Sequence, residues 1–486
     1  MVLSRRRRLG GTESFRAGRQ GFEPTRREVL AGGAGAGALL ALPVMTSSLP
    51  GSRSAGAAGT ASSSSSSHPW YAFLYGTPEL SPYPGGSVMA SKSPASASAS
   101  PTTPFQFASK LATAPVLSPD QSTVALVTVA AASAGPRVTL TLVSKATAAV
   151  SKQGSLTLTG VPADASILAT PVFAPGTKTV ALVLAITIPA TAGTLRKADA
   201  HTAAIITAPA TIWKSHHALA YFDSSSGAFT GPFDLADEPS LALTTAAANG
   251  TDVFVWTTPE PQAADYDKAR PRPAPLSSVS AFPLGSGRPR FSAPSLAPWP
   301  GGEPVVTLAS GDVARLVYGR ELQVCSAQTG DITTRALAPL SVARPKPSAV
   351  TMQARPDGTL FITKPGIGIA IVVDPASSFR VTSRVGFPVP LAPGSAPWSK
   401  AVLSSSGEVL YVTGGASSGG VSAYRMDTGA LTASYVPGGR QYTGLHVLPD
   451  GDVLAVSPAH PRLTFFSPAL SPLGTADTSL QIAAVF

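Results

Sequence analysis

Six histidines, one cysteine and 26 acidic side chains are the groups in this 486-residue chain that could hold a metal or move a proton. Metal sites need such groups clustered. The histidines stand at 68, 201, 216, 217, 446 and 460, and only His216 and His217 are adjacent. Neighbours along a strand point to opposite faces, so that pair does not share an ion. Asp265-Tyr-Asp267 and Asp450-Gly-Asp452 place carboxylates two apart. A calcium loop wants more ligands and a distal Glu. Asp450-Gly therefore reads as hairpin chemistry, and Asp265 and Asp267 as loop charges. Cys325, being alone, excludes an intrachain disulfide and a thiolate cluster. Within its strand-like run, 322–326, it reads as a small buried apolar group. Gly415-Ala-Ser-Ser-Gly-Gly420 approaches a nucleophile elbow in composition but lacks the strand-to-helix turn. Gly366-Ile-Gly368 opens like a dinucleotide turn without the helix that would hold a pyrophosphate. The expectation is no catalytic, metal or cofactor-binding residue, and no cofactor.

The elements around these groups are short. The 45 glycines and 47 prolines alternate with Val, Leu, Thr and Ala in brief runs, a pattern of strands and turns rather than helices. With 13% charged residues, the surface relies on Ser, Thr, Gly and Pro. The net charge of +10 is uneven: residues 1–57 hold nine Lys/Arg and three acids, and the rest holds 27 against 23. The basic residues of the body are scattered, so the charge does not argue for nucleic-acid binding.

Residues 400–436 show the repeating unit: a strand, a Ser/Gly turn at Gly407, the strand 409–412, a glycine-rich loop, the strand 421–426, an Asp427-Thr-Gly429 turn and a last strand. The first turn recurs at Pro119-Asp120, Pro175-Gly176, Asn249-Gly250, Ser310-Gly311, Pro356-Asp357-Gly358 and Pro449-Asp450-Gly451, each before an apolar run. Seven such turns follow one another at about 45 to 75 residues. The second hairpin recurs at 218–229, 321–331, 368–379, 421–431 and 462–470. The long spacings leave room for loop insertions at 189–215 and 259–275, where binding tends to reside.

Tyr221-Phe-Asp-Ser-Ser-Ser-Gly227 and Tyr424-Arg-Met-Asp-Thr-Gly429 resemble the repeats of WD40-like and YVTN-type β-propellers. The resemblance covers roughly 105–486, without the Gly-His and Trp-Asp marks of true WD40 units. It implies an all-β fold of seven blades, each a four-stranded antiparallel sheet. A pair of β-sandwiches is the rival architecture. In a propeller, histidines far apart in sequence can meet at the axis. The ring closes if the strand within 479–486 completes the first blade, or if 70–75 completes the last. Between 58 and 104 the chain is a Ser/Ala/Pro-rich linker with that one strand candidate, and the propeller spans 105–486.

Thr25-Arg26-Arg27-Glu28-Val29-Leu30, ahead of the weakly apolar run 31–44, resembles a twin-arginine export signal. The run is too short and glycine-rich for a good membrane span. Ala55-Gly-Ala57 offers a small-x-small cleavage site before Ala58. The resemblance implies a bacterial protein exported already folded, with Arg26 and Arg27 as the export determinants.

The function expected is an exported, non-catalytic binding or scaffold propeller of the bacterial envelope or exterior. It would act as a monomer on a protein, glycan or small molecule, and meet a membrane only during export. A propeller enzyme of the lactonase or quinone-dehydrogenase type, with an axial site, is the alternative, and a tethered surface protein a third. Replacing Arg26 and Arg27 by lysine should leave the full chain in the cytoplasm. Cell fractionation checks this, and unchanged export would refute the signal.

Overall fold

Strands this short and apolar can satisfy their backbone groups only by pairing with one another. The computed structural model describes residues 70–75, 86–91, 106–107 and most of 110–485, stopping at connecting segments of which the longest are 191–211, 260–276 and 388–399. Regular structure among the described residues is β, apart from short 3-10 turns such as Ala338–Leu340. Seven sheets are four-stranded, as the repeats predict, and a five-stranded sheet takes second place along the chain. The pairings are antiparallel throughout.

From the third sheet onward each sheet is one two-hairpin unit whose strands pair in chain order: 166–234, 241–295, 305–336, 351–386, 401–435 and 444–477. The first sheet is built differently. Its order is Gln106–Phe107, Gly86–Ser91, Trp70–Tyr75 and then Gln481–Val485. Ala72 lies opposite Val485, and Tyr75 opposite Gln481. The closure differs from both that the sequence offered: 70–75 and 481–485 pair with each other, in a sheet that precedes the one holding the Pro119 turn. This explains the turn count. Each of the seven hairpin turns leads into the long strand next to the innermost position of one sheet, the second to the eighth; in the second sheet that inner position is shared by Lys110–Leu111 and Val116–Leu117. The first sheet has no such turn, because its partner strand arrives from the far end of the sequence.

The core lies between sheets. Val313–Val317 and Leu360–Lys364, both second strands, are buried at every position. Successive side chains go to opposite faces, so both faces must be covered. Leu360 and Ile362 pack against Ala314 and Leu316 of the preceding sheet. Phe361 packs forward with Leu410 and Val412. The same arrangement joins Val127 to Leu182, Val183 to Val253, Trp256 to Val313, and Tyr411 to Phe466. Two facing sandwiches would leave an outer face on every sheet; the sheets stack in sequence order around a ring instead. The protein is an all-β propeller.

Phe466 is fully buried between the seventh and eighth sheets. Phe466→Ala should lower the unfolding free energy by about 3–5 kcal/mol. Leu431→Ala, at a position 56% exposed, should cost under about 0.5 kcal/mol. Urea denaturation of both variants checks the contrast.

Candidate axial site

Antiparallel pairing puts the tight turns of the second to eighth sheets at one end of the molecule and their remaining connections at the other. The turn end collects the carboxylates, because Asp accepts hydrogen bonds from backbone groups two residues on. Asp223 accepts from the Ser225 N–H (2.8 Å) and the Ser226 hydroxyl (2.8 Å). These bonds, those from Ser225 foremost, hold its pKa at about 2. Asp357 and Asp374 accept from Thr359 and Ala376 N–H groups, each at 2.9 Å. Asp450 accepts from the Asp452 N–H at 3.0 Å, the hairpin role its sequence implies. Burial, with the Asp450 charge beside it, pushes the Asp452 carboxyl up to about 6. Asn249 Oδ1 takes the Asp252 N–H at 2.7 Å, and the buried Asp252 carboxylate takes Arg290 Nη2 at 2.9 Å. The same nitrogen donates to Ala327 O (2.6 Å), tying the fourth sheet to the fifth.

The opposite, loop end has the other sign. Among described side chains it carries Arg137, Arg320, Lys364, Lys400 and Arg462 against Asp234 and Glu321. Several of these are already engaged. His216 Nε2 meets Asp234 Oδ1 at 2.8 Å. Arg320 Nε lies 3.5 Å from Glu321 Oε1. The buried Lys364 donates from Nζ to Gly319 O (3.2 Å) and Leu340 O (3.4 Å), closing the end of the 3-10 turn.

Lys400 is different. It immediately precedes the first strand of the seventh sheet, Ala401–Leu403, and its backbone is fixed in both directions. Its N–H donates to Thr413 Oγ1 (2.8 Å), and the Thr413 N–H donates to Lys400 O (2.9 Å). No described residue holds its Nζ by a hydrogen bond or ion pair. Burial alone lowers its pKa. The first strands touch one another from sheet to sheet, third to fourth to fifth to sixth and seventh to eighth, so they form the inner ring. On the ring strand beside Lys400 lies His446, half-buried. Burial brings its pKa down to about 4, and the Lys400 charge adds to the effect, which places the two groups within electrostatic reach.

The second sheet's strand at this position, Lys110–Leu111, also carries a lysine. Ser166–Phe173, Leu241–Ala248, Val305–Thr307, Thr351–Ala354, Ala401–Leu403, Gly444–Val447 and Gln481–Val485 contain no Asp or Glu. Their half-buried polar groups are hydroxyls and amides. Thr307 Oγ1 donates to Ala248 O across to the fourth sheet (2.8 Å), and the Thr351 and Thr363 hydroxyls lie 2.6 Å apart. Such a ring can bind and orient a polar ligand with its hydroxyls, its cations and one neutral imidazole.

The structure separates the groups that the sequence placed together. His216 is solvent-facing, while His217 is buried, with no partner for Nδ1 among the described residues. Burial, helped by the His216 charge, brings His217 down to about 4. Cys325 is buried against Phe254 and Trp256, and burial raises its thiol to about 11. No group of three or more His, Cys, Asp or Glu among the described residues could hold a metal ion. Arg26, Arg27, Ala57, Ala58, His68, His201, His460, Asp265 and Asp267 lie outside the described residues. Two cations that sequence reasoning missed are Lys400 and Arg315. Arg315 is 1% exposed, with its guanidinium 5.8 Å from the Trp256 ring centre. Its neighbours in the run 313–317 are all apolar, and a lone charge at the centre of such a run is the signal that could have found it. The described residues also form a shallow open depression at 132–135 and 160–163, on the second sheet and apart from the ring.

No family model matches this sequence, and no curated protein does. Among solved structures, the chain is similar to the dihydro-heme d1 dehydrogenase NirN in complex with DHE. The identity is 11%, over 85% of this chain and 74% of that one, with a TM-score of 0.48. It is also similar to the Dos1 propeller (13% identity, 70% and 73% covered, TM-score 0.40). A third is the periplasmic gluconolactonase PpgL of Pseudomonas aeruginosa (15% identity, 75% and 98% covered, TM-score 0.39). None of these scores reaches 0.5, and the fold assignment rests on the strand pairing itself. No described helix is long and apolar enough to cross a membrane.

His217 and His446 set a pH dependence. Each has a folded pKa of about 4, below the unfolded 6.5, so the unfolded chain takes up protons first as pH falls. Stability should therefore hold above pH 6.5 and drop between about 6.5 and 4, with His217 accounting for on the order of 3 kcal/mol. Asp452, with its raised pKa, acts in the opposite sense, losing its contribution as pH rises from 3.8 to about 6. Denaturation of His217→Asn and His446→Gln across this range should show a shallower acid slope than the parent chain. An unchanged slope would count against buried neutral imidazoles.

Proposed function

We propose that this chain is an exported, non-catalytic propeller that binds a small molecule at the loop end of its axis, in the bacterial envelope or outside the cell. One observation carries the reading. The described ring strands contain Ser, Thr and Gln, one histidine (His446) and one lysine (Lys110), with Lys400 just ahead of the seventh sheet's first strand, but no Asp or Glu. General acid–base and metal-assisted chemistry at a propeller axis would call on several convergent carboxylates or imidazoles. Polar neutral groups on a rigid ring suit recognition. Export is supported by Arg26-Arg27 and the apolar run after them, with Ala57-Ala58 as the cleavage point. The binding unit acts as a monomer and meets the membrane only in transit. A protein loop or a glycan is the other class of ligand that the loop end would accept.

A second reading, a propeller enzyme, is favoured by His446. An imidazole kept neutral beside a cation is available as a general base. A thermal-shift screen on the chain from Ala58, with and without divalent metals, should find a small molecule that raises the melting temperature saturably. Hydrogen exchange should then show protection of Lys400 to Leu403 and of Gly444–Val447. Protection confined to outer strands would refute the axial reading. Turnover of the ligand, lost in His446→Gln, would replace binding by catalysis.

A further inference from the structure

We propose that the axial ligand is an oxyanion, a small molecule bearing a carboxylate or phosphate, which Lys400 Nζ grips beside the His446 imidazole. The inference rests on the axial-binding reading and names the chemistry it recognises.

Three observations converge. The first is a cation without a counter-charge. A half-buried ammonium normally has a carboxylate or carbonyl partner, because an unpaired charge is expensive away from water. Lys364 follows that rule, with two carbonyl oxygens on its Nζ. Lys400 does not: among the described residues its recorded bonds are those of its backbone. The second is position. Two bonds from its backbone to Thr413 fix where the Lys400 side chain starts, just ahead of the ring strand next to that of His446. A pinned stem lowers the ordering cost of closing on a ligand. The third is the distribution of charge. Turn chemistry draws Asp120, Asp223, Asp312, Asp357, Asp374 and Asp450 to the far end of the sheets. The loop end keeps a positive excess among its described side chains. A cleft of one sign between low-dielectric walls concentrates ligands of the other.

An oxyanion would supply what the ring lacks. It would accept from Lys400 Nζ and, with the imidazole presenting an N–H, from His446; ring hydroxyls would bind the rest of the molecule. It would also favour the charged ammonium, which burial now disfavours.

The test titrates the chain from Ala58 with inorganic phosphate, succinate and the neutral polyol erythritol, read by calorimetry and by hydrogen exchange of the ring strands. The expected result is saturable binding of phosphate or succinate at or below about 1 mM. Lys400→Met should weaken it by about tenfold or more, and Lys400→Arg by only a few-fold. Which anion binds distinguishes phosphorylated from carboxylated ligands. Thermal unfolding of Lys400→Met without ligand tests its fold, and the Lys400→Arg variant keeps the proposal falsifiable if Lys400→Met does not fold. Binding unchanged in Lys400→Met would overturn the proposal. So would the absence of saturable binding by either anion. If erythritol or another neutral ligand protects the ring strands while both anions fail, the oxyanion is wrong and axial binding stands. If no ligand protects the ring strands, both fall.

Discussion

The sheets whose side chains are described are greasy on both faces, and that constraint organises everything else. A sheet with a single apolar face can rest on one neighbour and turn its back to water. Leu360, Phe361 and Ile362 leave no back to turn: the first and third need the preceding sheet, the second the following one. Stacking must then continue until it meets its own beginning. The strand pairing of residues 70–75 with 481–485 is where that happens.

Closure has a consequence for the charges. Because the second to eighth sheets are each wound from the inner strand outward, their tight turns all fall at one end. Aspartates that serve those turns are gathered there, whatever the protein binds. The opposite end is left with the less regular connections and, among its described side chains, a surplus of cations. The positive bias of that end among the described side chains is therefore a by-product of how the hairpins are turned, and Lys400 stands within it just ahead of the innermost strand of its sheet.

The buried polar groups fall into two kinds. Asp252 with Arg290, and Lys364 with its two carbonyls, are satisfied and tie sheets or connections together. Lys400 is held only by its backbone among the described residues. Structural ion pairs and capped carbonyls account for the first kind. A group that the architecture pins but does not neutralise is the better place to look for recognition.

The fold was legible in the sequence because its cause is local. Asp450-Gly-Asp452 and Asn249-Gly-Thr-Asp252 write each hairpin turn into a few adjacent residues, and the apolar run after each turn tells how much surface needs covering. The sheet made from both ends of the sequence has no such turn to read, so it showed itself only in three dimensions. The site was hidden for a related reason. Lys400 and His446 are separated by an entire blade in sequence. One looks like a solvated charge before a strand, and the other like any lone histidine. Short-range patterns set which residues become strands, turns and buried faces. The ring brings together side chains from different sheets, and only that arrangement decides which of them meet.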